Sequence, residues 1–204
     1  MYTEIIELFQ QVEKDSFSKD FSQWEIADNT DWTIIRNAAE NGTLPENFNQ
    51  WKMTNNNSWS IGHIAALNNN LPENFNNWEI ADENGQTIAH IAASHGNLPA
   101  SFDRWGLSDN NGFGILHVIA TCDNLPEGFD EWAIADDDGW SVAHVAATCD
   151  NLPEGFIEWG IVDDDGWSVA HEAARCGNLP EGFDQWELTD NRGRSIKDLS
   201  LIHI

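Results

Sequence analysis

The sequence predicts an all-α, elongated solenoid of about seven 27-residue repeats with terminal caps, and three observations carry that prediction. First, Trp24, Trp51, Trp78, Trp105, Trp132, Trp159 and Trp186 stand 27 residues apart without a slip. A period of that length marks a repeat array, in which each unit buries its apolar face on its neighbours. Second, the units copy a polar turn, a short alanine-rich helical run and a proline-containing segment, as in FDEWAIADDDGWSVAHVAATCDNLPEG. Third, 41% of residues are apolar and aromatic residues are abundant, too many for a disordered acidic chain. The repeat leaves no room for a boundary. The chain therefore reads as one domain, with a capping helix over 1–20, six repeats over 21–182 and a divergent C-terminal capping repeat over 183–204.

Taken in order, the N-terminal stretch sets Ile5, Ile6, Leu8, Phe9 and Val12 on one side, suited to cover the first unit. Residues 136 to 159 then illustrate a repeat. Asp136, Asp137, Asp138 and Gly139 form a turn with glycine where positive φ is allowed. Ser141 caps a helix over Val142 to Thr148, whose small alanines let neighbouring helices approach closely. Asp150 and Asn151 end that helix. Pro153 opens about one further turn, since Gly155 follows closely, and it carries Phe156 and Trp159 on a single face. In the last unit Arg192, Arg194 and Lys197 break the acidic run, and Ile196, Leu199, Leu201 and Ile202 are placed to close the stack.

Five units, NNNSWSIGHIAA, DENGQTIAHIAA, DNNGFGILHVIA, DDDGWSVAHVAA and DDDGWSVAHEAA, resemble the turn and capped first helix of the ankyrin-repeat family. Ser60, Thr87, Ser141 and Ser168 take the capping place, and His63, His90, His117, His144 and His171 take the histidine place. The resemblance implies that each histidine bonds to its own turn and that the residue after the turn glycine sits at an exposed tip. This sequence lacks the family's proline, and Gly114 replaces the hydroxyl residue in one unit. Its period is also shorter than the family's, which runs to about 33 residues. The missing residues fall in the second helix, so the fold is expected to be ankyrin-like with that helix truncated.

Charge narrows the function. Thirty-five acids against nine Lys and Arg leave a net charge of -26, and no Lys or Arg occurs from Trp105 to Ala174. Direct binding to nucleic acid or to an anionic membrane is excluded on this ground, and a partner should be a protein with a basic surface. The N-terminus carries acids where a signal peptide needs a basic region, so a cytoplasmic location is expected. Cys122, Cys149 and Cys176 repeat one slot. Helices stacked about 8 to 10 Å apart hold them too far apart to bridge, and they are expected to be small buried core residues.

No catalytic, cofactor or metal site is expected. Histidines about 10 Å apart cannot share one zinc ion, and the DDDG turns lack the alternate spacing and distant Glu of a calcium loop. The informative slot is the one at the turn tip: Trp32, Trp59, Gln86, Phe113, Trp140, Trp167 and Arg194. Repeated rings there are either binding anchors or rings folded onto the adjacent turn, and the sequence leaves both open. Asp109, Asp136, Asp137, Asp138, Asp163, Asp164 and Asp165 flank Phe113, Trp140 and Trp167, with Asp82 extending the row. Such a ladder suits a partner that presents Arg. The leading reading is a non-enzymatic scaffold for protein–protein binding through this face, centred on the units from Phe113 to Trp167. The alternative is a nucleic-acid mimic that blocks the basic groove of a DNA- or RNA-binding protein, as a phage-type inhibitor of a bacterial defence system does. A monomer is favoured over a homodimer, because acidic faces repel.

Overall fold

The computed structural model describes residues 29–54, 59–122, 125–126 and 128–200. The expected N-terminal capping helix over 1–20 lies outside them, as do Leu201 and Ile202. Among the described residues there are seven helices: α1 (Asn29–Glu40), α2 (Ile61–Leu67), α3 (Ile88–Ser94), α4 (Ile115–Thr121), α5 (Val142–Thr148), α6 (Val169–Cys176) and α7 (Ile196–Ser200). They fall into two compact units, the first ending at Arg104 and the second starting at Trp105. In the first unit α1 packs on α2 and α2 on α3; in the second, α4, α5, α6 and α7 pack in succession.

The helices are short because each is started and stopped by its own residues. Ser60, Thr87, Ser141 and Ser168 stand in extended conformation, and their side-chain oxygens accept an amide from the third residue of the helix. Gly114 has no side chain to offer, and α4 starts without one. Asn69 and Asp150 adopt positive φ just beyond α2 and α5, and Gly177 does the same at the end of α6. Ala65, Ala66, Ala92, Ala93, Ala146 and Ala147 are buried, and their small size permits close packing of successive helices.

What remains of a second helix is one hydrogen-bonded turn. The Phe156 amide donates to the Pro153 carbonyl at 3.1 Å, and the same bond recurs from Phe183 to Pro180 at 3.2 Å and from Phe75 to Pro72 at 2.9 Å. Gly155 and Gly182, at φ of 81° and 84°, turn the chain out of the right-handed helical region. The period-setting tryptophans and their phenylalanines then interlock edge to face. Phe48, Trp51, Phe75, Trp78 and Phe102 form one ladder in the first unit, with centroids 4.8 to 5.3 Å apart. Phe129, Trp132, Phe156, Trp159, Phe183 and Trp186 form another in the second, at 4.9 to 5.4 Å. Edge-to-face pairs at such distances add roughly 0.5–1.5 kcal/mol each beyond area burial.

Asparagines tie the helix ends together. The Asn151 amide donates to the Ala120 carbonyl at 2.8 Å, Asn178 to Ala147 at 2.9 Å, and Asn97 to Ala66 at 2.9 Å. Each bond reaches a carbonyl in the last turn of the preceding helix. On the other side, in the second unit, the turns stack through their backbones: Asp137 N–H donates to Asn111 O at 2.9 Å, Asp164 to Asp138 at 3.3 Å, and Asn191 to Asp165 at 3.2 Å.

Two expectations need correction. The cysteines are not core residues: Cys122 and Cys176 are half-buried, Cys149 is exposed, and all three are free thiols. They sit at or next to the helix C-termini, beyond the faces that pack on neighbouring helices. Trp32 is not at a turn tip, because α1 already runs from Asn29 and contains it.

The turn stack makes a sharp demand on Gly139. Its φ is +78°, and a Cβ there would lie 2.7 Å from the amide nitrogen of Asp164. Gly139→Ala is therefore expected to cost about 2 kcal/mol or more, from left-handed strain plus loss of the turn-to-turn bond. Gly155→Ala shares the positive φ but meets nothing within 4 Å. Its cost should stay near ~1 kcal/mol, and urea unfolding of the two variants measures the difference.

Candidate functional site

In the second unit three turns, 109–113, 136–140 and 163–167, carry the proposed ladder. Their acids divide into two kinds. Asp136 Oδ1 accepts the amides of Asp138 and Trp140, at 3.0 and 2.8 Å. Asp163 does the same for Asp165 and Trp167, and Asp109 for Asn111 and Phe113. These three half-buried carboxylates hold the turns together. Asp137, Asp138, Asp164 and Asp165 are exposed.

The tip rings lie flat on histidines. Trp140 and His144 have centroids 4.7 Å apart at 27°, Trp167 and His171 5.0 Å apart at 33°, and Phe113 and His117 4.8 Å apart at 32°. Trp59, in the first unit, stacks more loosely on His63 at 6.0 Å. All four rings are half-buried, with one face on the histidine of their own repeat.

Each histidine has two jobs. His144 Nδ1 accepts the backbone N–H of its cap, Ser141, at 3.1 Å, and its Nε2 lies 3.0 Å from the carbonyl of Trp167 in the next repeat. His63, His117 and His171 repeat the pattern, reaching Gln86, Trp140 and Arg194. An Nδ1 that receives an N–H carries no proton, so the proton sits on Nε2 and is donated forward. The ring must then be neutral. Burial accordingly lowers the pKa of His63, His117 and His144, although the carbonyl bond and nearby aspartates pull the other way.

Sequence reasoning missed one cluster. Glu172 occupies a slot filled by Ile64, Ile91, Val118 and Val145 in other repeats, and it is 1% exposed. Its carboxylate accepts from Thr148 Oγ1 at 2.7 Å, Trp167 Nε1 at 3.1 Å and Arg175 Nε at 2.9 Å. Burial alone would raise this carboxyl, but the bonds from Arg175, Thr148 and Trp167 outweigh it and hold it below its ordinary value. Beside it, Arg194 lies over the Trp167 ring at 5.1 Å and bonds Asp190 Oδ2 at 2.7 Å. A charge in an otherwise aliphatic slot was the available signal.

Among the described residues, no group of three or more His, Cys, Asp or Glu is gathered to hold a metal ion. No helix among them is long and apolar enough to cross a membrane.

No family model and no curated protein matches the sequence. Solved structures do match. The chain is similar to the crystal structure of the ankyrin repeat domain of Bcl-3, described as a unique member of the IkappaB protein family. The TM-score is 0.56 at 18% identity, over 83% of this chain and 96% of that one. At that identity the likeness concerns the fold, which is an all-α, ankyrin-repeat-like solenoid with units shortened to 27 residues.

The neutral histidines make stability depend on pH. The folded pKa of His63, His117 and His144 lies below the unfolded value of about 6.5, so below that pH the unfolded chain binds more protons. Stability is therefore full above about pH 6.5 and declines as pH falls toward the folded midpoints, which Tm measured from about pH 7.5 to 5 should show. An NMR titration should place the His63, His117 and His144 midpoints below about 6.5. Glu172→Ile restores the aliphatic residue of the other repeats. Stability should change by no more than about 1 kcal/mol, because the half-exposed Arg175 returns to water and apolar packing offsets the lost bonds, while Trp167 loses its indole bond and its emission shifts.

Proposed function

We propose that this chain is a non-enzymatic scaffold that binds a basic protein segment through the turn face of its second unit. Phe113, Trp140 and Trp167 are the anchors, and Asp137, Asp138, Asp164 and Asp165 face the partner's cations. Asp109, Asp136 and Asp163 support the face from within, by holding the backbone that presents the rings. Trp59 offers an equivalent ring in the first unit.

One observation carries this reading. Arg194 already lies over the Trp167 ring at 5.1 Å, an intramolecular case of the contact that a partner's arginine would make. Cation–π contacts of this kind contribute about 0.5–2 kcal/mol, more when the pair is desolvated. Trp140 lies on its histidine as Trp167 does, and Asp136 accepts its backbone amide. The fold adds support, because a repeated unit presents a row of like side chains. A cytoplasmic location fits the three free thiols.

A nucleic-acid mimic is the second reading, favoured by the direct bonding of turn to turn, which keeps exposed carboxylates in a fixed row. Salt separates the two. A mimic displaces DNA or RNA from its target, and its affinity falls steeply as salt rises, by analogy with the roughly linear log–log dependence of phosphate binding. An aromatic-anchored scaffold weakens far less.

The test is Trp140→Ala with Trp167→Ala, and separately Asp137→Asn with Asp164→Asn. Against a partner isolated from the native host, the ring variant should lose about 2 kcal/mol or more of binding, on the scale of an interface hot spot. Unchanged binding by both variants, read by calorimetry at two salt concentrations, removes this face from consideration.

A further inference from the structure

The second unit has another surface, built from the segments that follow its helices. Residues 150–159 and 177–185 enclose an open groove of about 760 Å³. They belong to the half of the repeat where a unit of about 33 residues would carry its second helix. The floor is the buried ladder of Phe156, Trp159 and Phe183. Half-buried Leu152 and Leu179 add aliphatic surface.

Ile157 is the telling residue. It lines the groove and is 81% exposed. Its slot holds Asn49, Asn76, Asp103, Asp130 and Asp184 in other repeats, so the position asks for a polar residue and has been given an aliphatic one. Leaving a side chain of this size in water forgoes about 1.5–3 kcal/mol relative to burial. Among the described residues nothing covers it. Around it the rim is acidic: Asp150 and Glu154 stand on one wall, Glu181 and Asp184 on the other, and no Lys or Arg lines the groove.

We propose that this groove is a second docking site, separate from the turn face, for a basic protein segment carrying one large apolar side chain flanked by Lys or Arg. The apolar side chain covers Ile157 and the adjoining leucine surface, and the flanking cations meet the carboxylates of the two walls. Charge selects the occupant. A second copy of this chain, at -26, would bring the same carboxylates against themselves.

The probe is a capped peptide, Lys-Arg-Leu-Trp-Leu-Arg-Lys, titrated into the full chain and followed by amide NMR. Saturable shifts are expected at Gly155, Ile157, Gly182 and Asp184. Ile157→Asn, which restores the residue type of the other repeats, should weaken binding about tenfold or more, the equivalent of the apolar burial lost. Glu154→Gln with Glu181→Gln should weaken it too, whereas Asp137→Asn with Asp164→Asn on the turn face should change it less than about twofold. That last pair keeps this proposal distinguishable from the turn-face reading. The proposal is overturned if the peptide does not bind, if a version with Ser in place of Leu and Trp binds equally well, or if the shifts fall on the turn tips. It is overturned equally if sedimentation finds a dimer that Ile157→Asn dissociates, since the occupant is then a second copy.

Discussion

The structure depends on a neutral imidazole that the five central repeats copy. In His63, His117, His144 and His171, Nδ1 receives the amide of the helix cap and Nε2 reaches the carbonyl of the following turn, as His144 does between Ser141 and Trp167. One side chain thus ends its own turn, starts its own helix and fixes the register of the next unit. The interaction works only with the proton on Nε2, so burial and geometry both select the neutral ring. The carbonyl it reaches belongs to the tip residue, whose ring lies on that next unit's own histidine. Cap, register and tip ring are therefore one coupled device.

That device also explains why the acids divide. The first aspartate of each turn is spent on the backbone, with Asp136 and Asp163 each accepting two amides. A carboxylate used this way has a structural reason to be there. Asp137, Asp138, Asp164 and Asp165 have no such side-chain task, and they are the ones that project from the stacked turns. Within the turns the acidity is thus two populations, and only the second faces outward.

What the sequence made legible was whatever repeats locally. The period, the caps, the helix over Val142 to Thr148 and the single turn after Pro153 all follow from residues within one unit, and the structure agrees with them. What it hid were bonds between units. His Nε2 reaches a carbonyl 23 positions on, and the Asn151 amide reaches one 31 positions back, separations that no local pattern displays. The cysteines misled for a related reason. Recurrence of a small residue reads as core, yet Cys149 sits at a helix end where the packed face has already finished. Glu172 was visible as a break in an aliphatic column, but its meaning lay in Thr148, Trp167 and Arg175, which only the fold brings to it.

The two acidic surfaces of the second unit differ in what they cost. Carboxylates in the turns stand at the N-terminal ends of helices, where the backbone dipole favours negative charge by roughly 0.3–1 kcal/mol. The carboxylates of the groove, Asp150 and Glu154 among them, follow helix C-termini, where the same dipole favours cations. A helix of seven residues, about 10 Å long, stands between the two sets. Stability can account for acids at the first end and, at the second, for Asp150, whose positive φ suits an aspartate, but not for Glu154 and Glu181. Acids gathered at the unfavourable end, around an isoleucine that the fold leaves in water, are better explained by what the groove receives than by what it supports.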